Sequence, residues 1–129
     1  MTESGHSYRF PKTERLTGKQ DIEELFKNGS SFYLYPLLVK HITEPSGERH
    51  SALFTVSKRN FKKAVDRNLI KRRMREAYRL QKHLLDEADQ GKFYRLAFVY
   101  VGKTILPYRL IEPKLKKLLH RLKNHFDEK

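Results

Sequence analysis

The sequence contains no cysteine. Disulfide staples, thiol nucleophiles and cysteine-ligated zinc are therefore excluded, and a reducing compartment suits the chain. Long apolar runs are missing as well. Stretches such as Leu96 to Val101 fall far short of the ~20 residues that a membrane-spanning helix needs. The segment Met1 to Phe10 has neither the apolar centre nor the small-residue cleavage site of a secretory leader. The expectation is a cytoplasmic protein with no membrane partner. Acidic residues are scarce: 15 Asp and Glu face 28 Lys and Arg, a net charge of +13. Such a field attracts a polyanion above any neutral partner, which makes nucleic acid the leading class.

The parts of an autonomous nuclease are also lacking. Glu23 and Glu24 lie on a short helical pattern, Asp86, Glu87 and Asp89 crowd a helix end, and Asp127 and Glu128 sit at the end of the sequence. None of these forms the carboxylate cluster that two-metal phosphodiester cleavage requires. His6, His41, His50, His83, His120 and His125 show no i, i+4 metal-ligand spacing and read as surface residues. No phosphate-cradling glycine loop and no Ser-His-Asp arrangement is visible. No catalytic residue and no protein-held metal site is assigned.

What is present reads as one domain over residues 1–129, with residues 1–15 as an extended N-terminal arm. Thr17 and Gln20 have capping-box spacing ahead of Ile22, Leu25 and Phe26, which predicts a helix from Gly18 to Lys27 closed by Asn28 and Gly29 in the left-handed region. Residues Ser31 to Ile42 read as two short strands parted by Pro36. The turn-rich Thr43 to Glu48 then suggests that Leu37–Ile42 and Ser51–Ser57 form a hairpin. Lys58 to Gln90 carries the longest helical pattern, stopped by Gly91, and Arg95 to Val101 is an apolar run typical of a strand covered on both faces. Strand, helix, strand in that order predicts a β-α-β unit with parallel pairing. Pro113 suits the first turn of a last helix, whose Leu115, Leu118, Leu119, Leu122 and Phe126 repeat at core-facing spacing.

Between Lys58 and Lys82 stand eleven cations against Asp66 and Glu76 alone. At about 100° per residue, Arg67, Asn68, Lys71, Arg72, Arg75, Tyr78, Arg79 and Lys82 share one arc, while Leu69, Ile70, Met74, Ala77 and Leu80 share the other. Arg73 is the cation on the apolar arc, with a stem long enough to carry its guanidinium to solvent. Like charges a turn apart destabilise a helix by a few tenths of a kcal/mol each, and a phosphate backbone offsets this by releasing condensed counterions. Arginine outnumbers lysine within the helical arc, which favours forked hydrogen bonding over plain charge attraction. The alternative is an ordinary solvated basic face.

The run Ala64-Val65-Asp66-Arg67-Asn68-Leu69-Ile70-Lys71-Arg72-Arg73-Met74-Arg75-Glu76-Ala77-Tyr78-Arg79, preceded by Val56-Ser57-Lys58, closely resembles the signature of the bacterial ribonuclease P protein family. Similarity extends upstream through Arg15, Leu16, Asp21, Phe26 and Gly29 and downstream to Leu96–Val101. The third position of the family's Arg-Asn-Arg triplet is Leu69 here, which the wheel places on the apolar side. The resemblance implies an α+β fold, an α-β-β-β-α-β-α two-layer sandwich with a left-handed β-α-β crossover against the usual preference. It implies an RNA-binding subunit that assists a catalytic RNA in removing the 5′ leader from precursor tRNA, with Mg2+ bound mainly by the RNA and no DNA partner. Contacts to the RNA subunit are implied for Lys58, Lys62, Lys63, Arg67, Asn68, Lys71, Arg72, Arg75 and Arg79. Ile22, Phe26 and Lys40 are implied to line a cleft for the single-stranded leader. Phe26 serves equally as core packing or as a stacking surface for an unpaired base. A ribosomal protein or RNA chaperone, a major-groove DNA-binding regulator and an autonomous nuclease are the rival classes.

Overall fold

The computed structural model describes residues 9–44, 49–86 and 93–127. The expected stop at Gly91, the tip of the 43–48 turn and the first eight residues of the arm lie outside that set. Four strands, β1 (Ser30–Leu34), β2 (Leu37–Glu44), β3 (Ser51–Val56) and β4 (Phe93–Tyr100), form one sheet in the order β1-β2-β4-β3. The helices are α1 (Lys19–Asn28), α2 (Ala64–Gln81), the short α3 (His83–Asp86) and α4 (Tyr108–Asp127). The result is a mixed α+β architecture. No helix among the described residues is long and apolar enough to cross a membrane.

The parallel β-α-β unit is present: β3 and β4 pair in parallel, Phe54 opposite Phe98, with α2 as the connection. The β2–β3 hairpin is not. β2 instead turns back on β1 through the cis Tyr35–Pro36 bond, with Leu34 opposite Leu37, and pairs antiparallel with β4 on its other side. The reason is burial. Leu96, Ala97 and Phe98 are fully inaccessible, and a strand apolar on both faces belongs at the centre of a sheet, so β4 inserts between β2 and β3.

Alternation along the strands divides the core in two. Val39, Phe54, Leu96 and Phe98 point to the face covered by α2 and α4, joining Ile70, Met74, Ile111, Leu115, Leu118 and Leu122. Ala97, Leu53 and Ile42 point the other way, where Leu16, Ile22 and Leu25 make a smaller cluster. Leu119 is buried with its neighbours on α4, as the leucine spacing predicts, while the Phe126 side chain lies outside the described set. Of the arm, Phe10 packs edge-on against Phe54 and Tyr78, and the Leu16 amide donates to the Ala52 carbonyl at 2.9 Å.

Several local expectations are corrected. The N-cap of α1 is Gly18 and no side chain caps it, so the Thr17–Gln20 box does not form. Gly29 ends α1 at φ −73°, ψ 155°, in extended rather than left-handed backbone. Glycine is required there by crowding: a Cβ would lie 2.5 Å from the Leu25 carbonyl oxygen and 3.0 Å from that of His41. The long helix begins at Ala64, not Lys58, because residues 57–63 form a separate loop. α4 starts at Tyr108, which leaves Pro113 inside the helix rather than in its first turn; Pro113 is exposed, so water can satisfy the carbonyl left without a partner. His41 and His50 are buried, not superficial. His50 accepts the Tyr94 amide at Nδ1 (3.2 Å), and His41 sits against Phe32 and His125.

Candidate nucleic-acid interface

The loop before α2 is fixed from within. The Ser57 hydroxyl accepts the Arg59 amide at 3.2 Å, the Phe61 amide donates to the Ser57 carbonyl at 3.1 Å, and the Phe61 ring is buried near Tyr100. Anchoring Phe61 leaves Lys58, Arg59, Lys62 and Lys63 exposed around it. Arg67 finishes the anchor: one guanidinium nitrogen donates to the carbonyls of Phe61 (2.7 Å) and Lys62 (2.9 Å). Arg67 is thus turned partly inward, holding the basic loop against the helix start.

Beyond it, α2 presents Asn68, Lys71, Arg72 and Arg75 together. With Val65, Asp66 and Leu69 they line a shallow concavity of about 460 Å³. The helical wheel misplaced three residues. Tyr78 is core, packed on Phe54 and Phe98; Lys82 is buried and pairs with Glu14 at 2.5 Å; Leu69 is half-buried and lines the outer concavity instead of joining the core. The core arc is centred on Met74, so positions at the edge of a wheel are decided by what packs there. Arg79 stays on the outer side, but its fork is occupied by Glu76, with Nη2 to Oε2 at 2.5 Å and Nε to Oε1 at 3.1 Å. That hydrogen bond holds the Glu76 carboxyl below its usual range and the Arg79 guanidinium above its own. Arg73 does not extend to solvent; it donates to the Leu106 carbonyl at 2.5 Å and ties α2 to the loop before α4.

The cleft residues lie on the opposite face of the sheet. α1 covers one end of it, clamped by the buried Arg95 on β4, which reaches Glu24 at 2.8 Å and Asp21 at 3.5 Å. Ile22 packs into the small cluster beneath α1. Phe26 belongs to neither core cluster and remains 39% exposed, and the Lys40 ammonium donates to its carbonyl at 3.3 Å. Tyr33, 55% exposed and paired in register with Leu38, stands on the same face as Lys40. Tyr33 is not among the cleft residues expected from the sequence, although the period-two alternation of Ser31 and Tyr33 against Phe32 and Leu34 carries the signal. Among the described residues no group of three or more His, Asp or Glu side chains could hold a metal ion. Glu14, Asp21, Glu24 and Glu76 are committed to internal ion pairs.

Fold and surface define a class: a small, strongly cationic α+β domain with a basic helix on one side of its sheet and an open, aromatic-rimmed surface on the other. A family model described as Ribonuclease P matches residues 10–123. The ribonuclease P protein component of Porphyromonas gingivalis is 36% identical over 120 residues, covering 90% of this chain and 88% of its own length. That of Chlorobaculum tepidum is 36% identical over 126 residues, covering 88% and 80%. Among solved structures, the RNase P protein of Thermotoga maritima superposes with a TM-score of 0.69 at 24% identity (84% of this chain, 96% of that one). The Staphylococcus aureus RNase P protein does so at 0.68 and 22% (85% and 95%), and both likenesses concern the fold. The chain belongs to the ribonuclease P protein family, a family of tRNA processing.

Proposed function

We propose that this protein binds the RNA subunit of ribonuclease P and assists that RNA in the endonucleolytic removal of the 5′ leader from precursor tRNA in the cytoplasm. The observation that carries the reading is the outward group Asn68, Lys71, Arg72 and Arg75, continued by Lys58, Lys62 and Lys63, beside which Glu76 is already neutralised by Arg79. Cations left unspent by internal pairing are available to phosphates, and displacement of condensed counterions supplies the driving force. Arg67 positions the loop, and Arg79 contributes less because its charge is shared with a carboxylate.

The leader runs through the cleft on the other face, where Phe26 and Lys40, with Ile22 at its floor, offer an aromatic surface and a cation to unpaired nucleotides. Stacking on such a surface is worth about 1–3 kcal/mol per base with little sequence preference. Mg2+ is carried by the RNA, and the chemistry belongs there; the protein lowers phosphate repulsion and lengthens the hold on substrate. Reconstitution tests this. Added to a bacterial ribonuclease P RNA at limiting Mg2+, the protein raises cleavage of precursor tRNA at the mature 5′ end, while the protein alone cleaves nothing. Absence of stimulation at every Mg2+ concentration overturns the reading.

A further inference from the structure

The last helix carries a second cationic surface that the proposed function leaves unused. Lys116, Lys117, His120 and Arg121 are exposed on α4, opposite its buried leucines. Glu112 turns aside to accept from the Gln81 amide at 2.9 Å. Among the described residues no carboxylate pairs with Lys116, Lys117 or Arg121, in contrast to Arg79, Lys82 and Arg95, whose charges are met internally. The surface ends in a concavity of about 240 Å³ lined by Phe32, Arg121, Asn124 and His125, where the Arg121 guanidinium lies over the Phe32 ring at 4.3 Å. The outer face of a guanidinium plane backed by an aromatic ring, beside a carboxamide that both donates and accepts, is the chemistry that receives a nucleobase. Phe32 and Tyr33 alternate along β1, so this concavity opens on the helix-covered side of the sheet, away from the cleft at Phe26.

We infer that the outer face of α4 binds a second segment of single-stranded RNA, with phosphates along Lys116, Lys117 and Arg121 and one unpaired base entering the concavity beside Phe32. Single-stranded RNA is favoured over duplex because paired bases cannot enter the concavity. It is favoured over a lipid surface because the apolar side of α4 is spent in the core and none is left to insert. The inference rests on the chain being an RNA-binding protein, but assigns a surface distinct from α2 and from the cleft.

Lysine-reactivity footprinting of the full chain, free and bound to a bacterial ribonuclease P RNA with leader-bearing precursor tRNA, tests it. The expected result is protection of Lys116 and Lys117 as well as Lys62 and Lys63. Arg121→Gln, at an exposed site that leaves the far-UV spectrum unchanged, weakens binding at least about 3-fold and makes the double-logarithmic salt slope shallower by about 0.7, the single-strand value per contact. Phe32→Leu weakens binding with the slope unchanged. Protection of Lys62 and Lys63 alone, with Arg121→Gln and Phe32→Leu binding like the parent, overturns the inference and leaves the proposed function standing. Protection of Lys116 and Lys117 that grows with protein concentration in the absence of RNA overturns it in favour of a contact between copies of the chain. Protection neither at the loop before α2 nor on α4 overturns both readings.

Discussion

Among the arginines of α2, one residue type divides into distinct roles according to what lies within reach. Arg72 and Arg75 face the outer concavity, Arg67 bonds two loop carbonyls, Arg73 bonds a third, and Arg79 is forked to Glu76. Arg72→Ala and Arg75→Ala are each expected to make the salt dependence of RNA-subunit binding shallower by about 0.9 in double-logarithmic slope, if the contact is to duplex-like RNA. Arg79→Ala changes the slope less, because its guanidinium is already shared with Glu76 and engages phosphate less. Arg67→Ala lowers the stability of the free protein by about 1 kcal/mol, a loss that urea unfolding detects and Arg72→Ala does not share. His41 gives a pH dependence of known sign. Burial, aided by the nearby His125, holds its pKa at about 4 in the folded protein against 6.5 in the unfolded chain. The unfolded state therefore binds more protons between those values. Stability falls as pH is lowered from about 6.5 toward 4 and levels off below. His41→Phe removes that component, which urea titrations at pH 7 and pH 5 would reveal.

At the scale of elements, α1 depends on how it is held at both ends rather than on a strong cap. Its N-terminus has no side-chain cap, and Asp21 in the first turn complements the helix dipole while pairing with Arg95. Its C-terminus meets the sheet at Gly29, so Gly29→Ala forces the helix end away from β2 and costs about 1–3 kcal/mol, read as a lowered thermal midpoint. The same shift moves Phe26, and leader affinity falls with it. The elements most legible in sequence were those with long periodic patterns: the leucine face of α4, the arginine-rich α2 and the apolar run of β4. The start of α2 was not legible from periodicity. Lys58 to Lys63 continue the basic composition of the helix, yet the buried Phe61 and the Ser57 hydroxyl fold them into a loop. The family resemblance, which carried a Ser-Lys loop at that place, located the boundary better than helical spacing did.

In the whole molecule, the sheet separates a cationic helical layer from an open face, and the two surfaces are expected to fail independently. Phe26→Ala reduces affinity for leader-bearing precursor tRNA several-fold with little change for the RNA subunit, and Arg72→Ala does the reverse; equal losses for both ligands in both variants would refute separate surfaces. The net charge of +13, the absence of thiols and of long apolar runs, and the one-sided arginines of α2 are properties of composition and of helical period, which need no tertiary contact to be defined. Strand order, the pairing of β2 with β1, the inward turn of Tyr78 and Lys82, and the exposure of Phe26 and Tyr33 were settled only when the chain closed on itself. A strand's partner is chosen by competition for burial across the whole sheet, and an arginine's partner by whichever carboxylate or carbonyl the fold brings within hydrogen-bond distance. Neither is a function of sequence spacing.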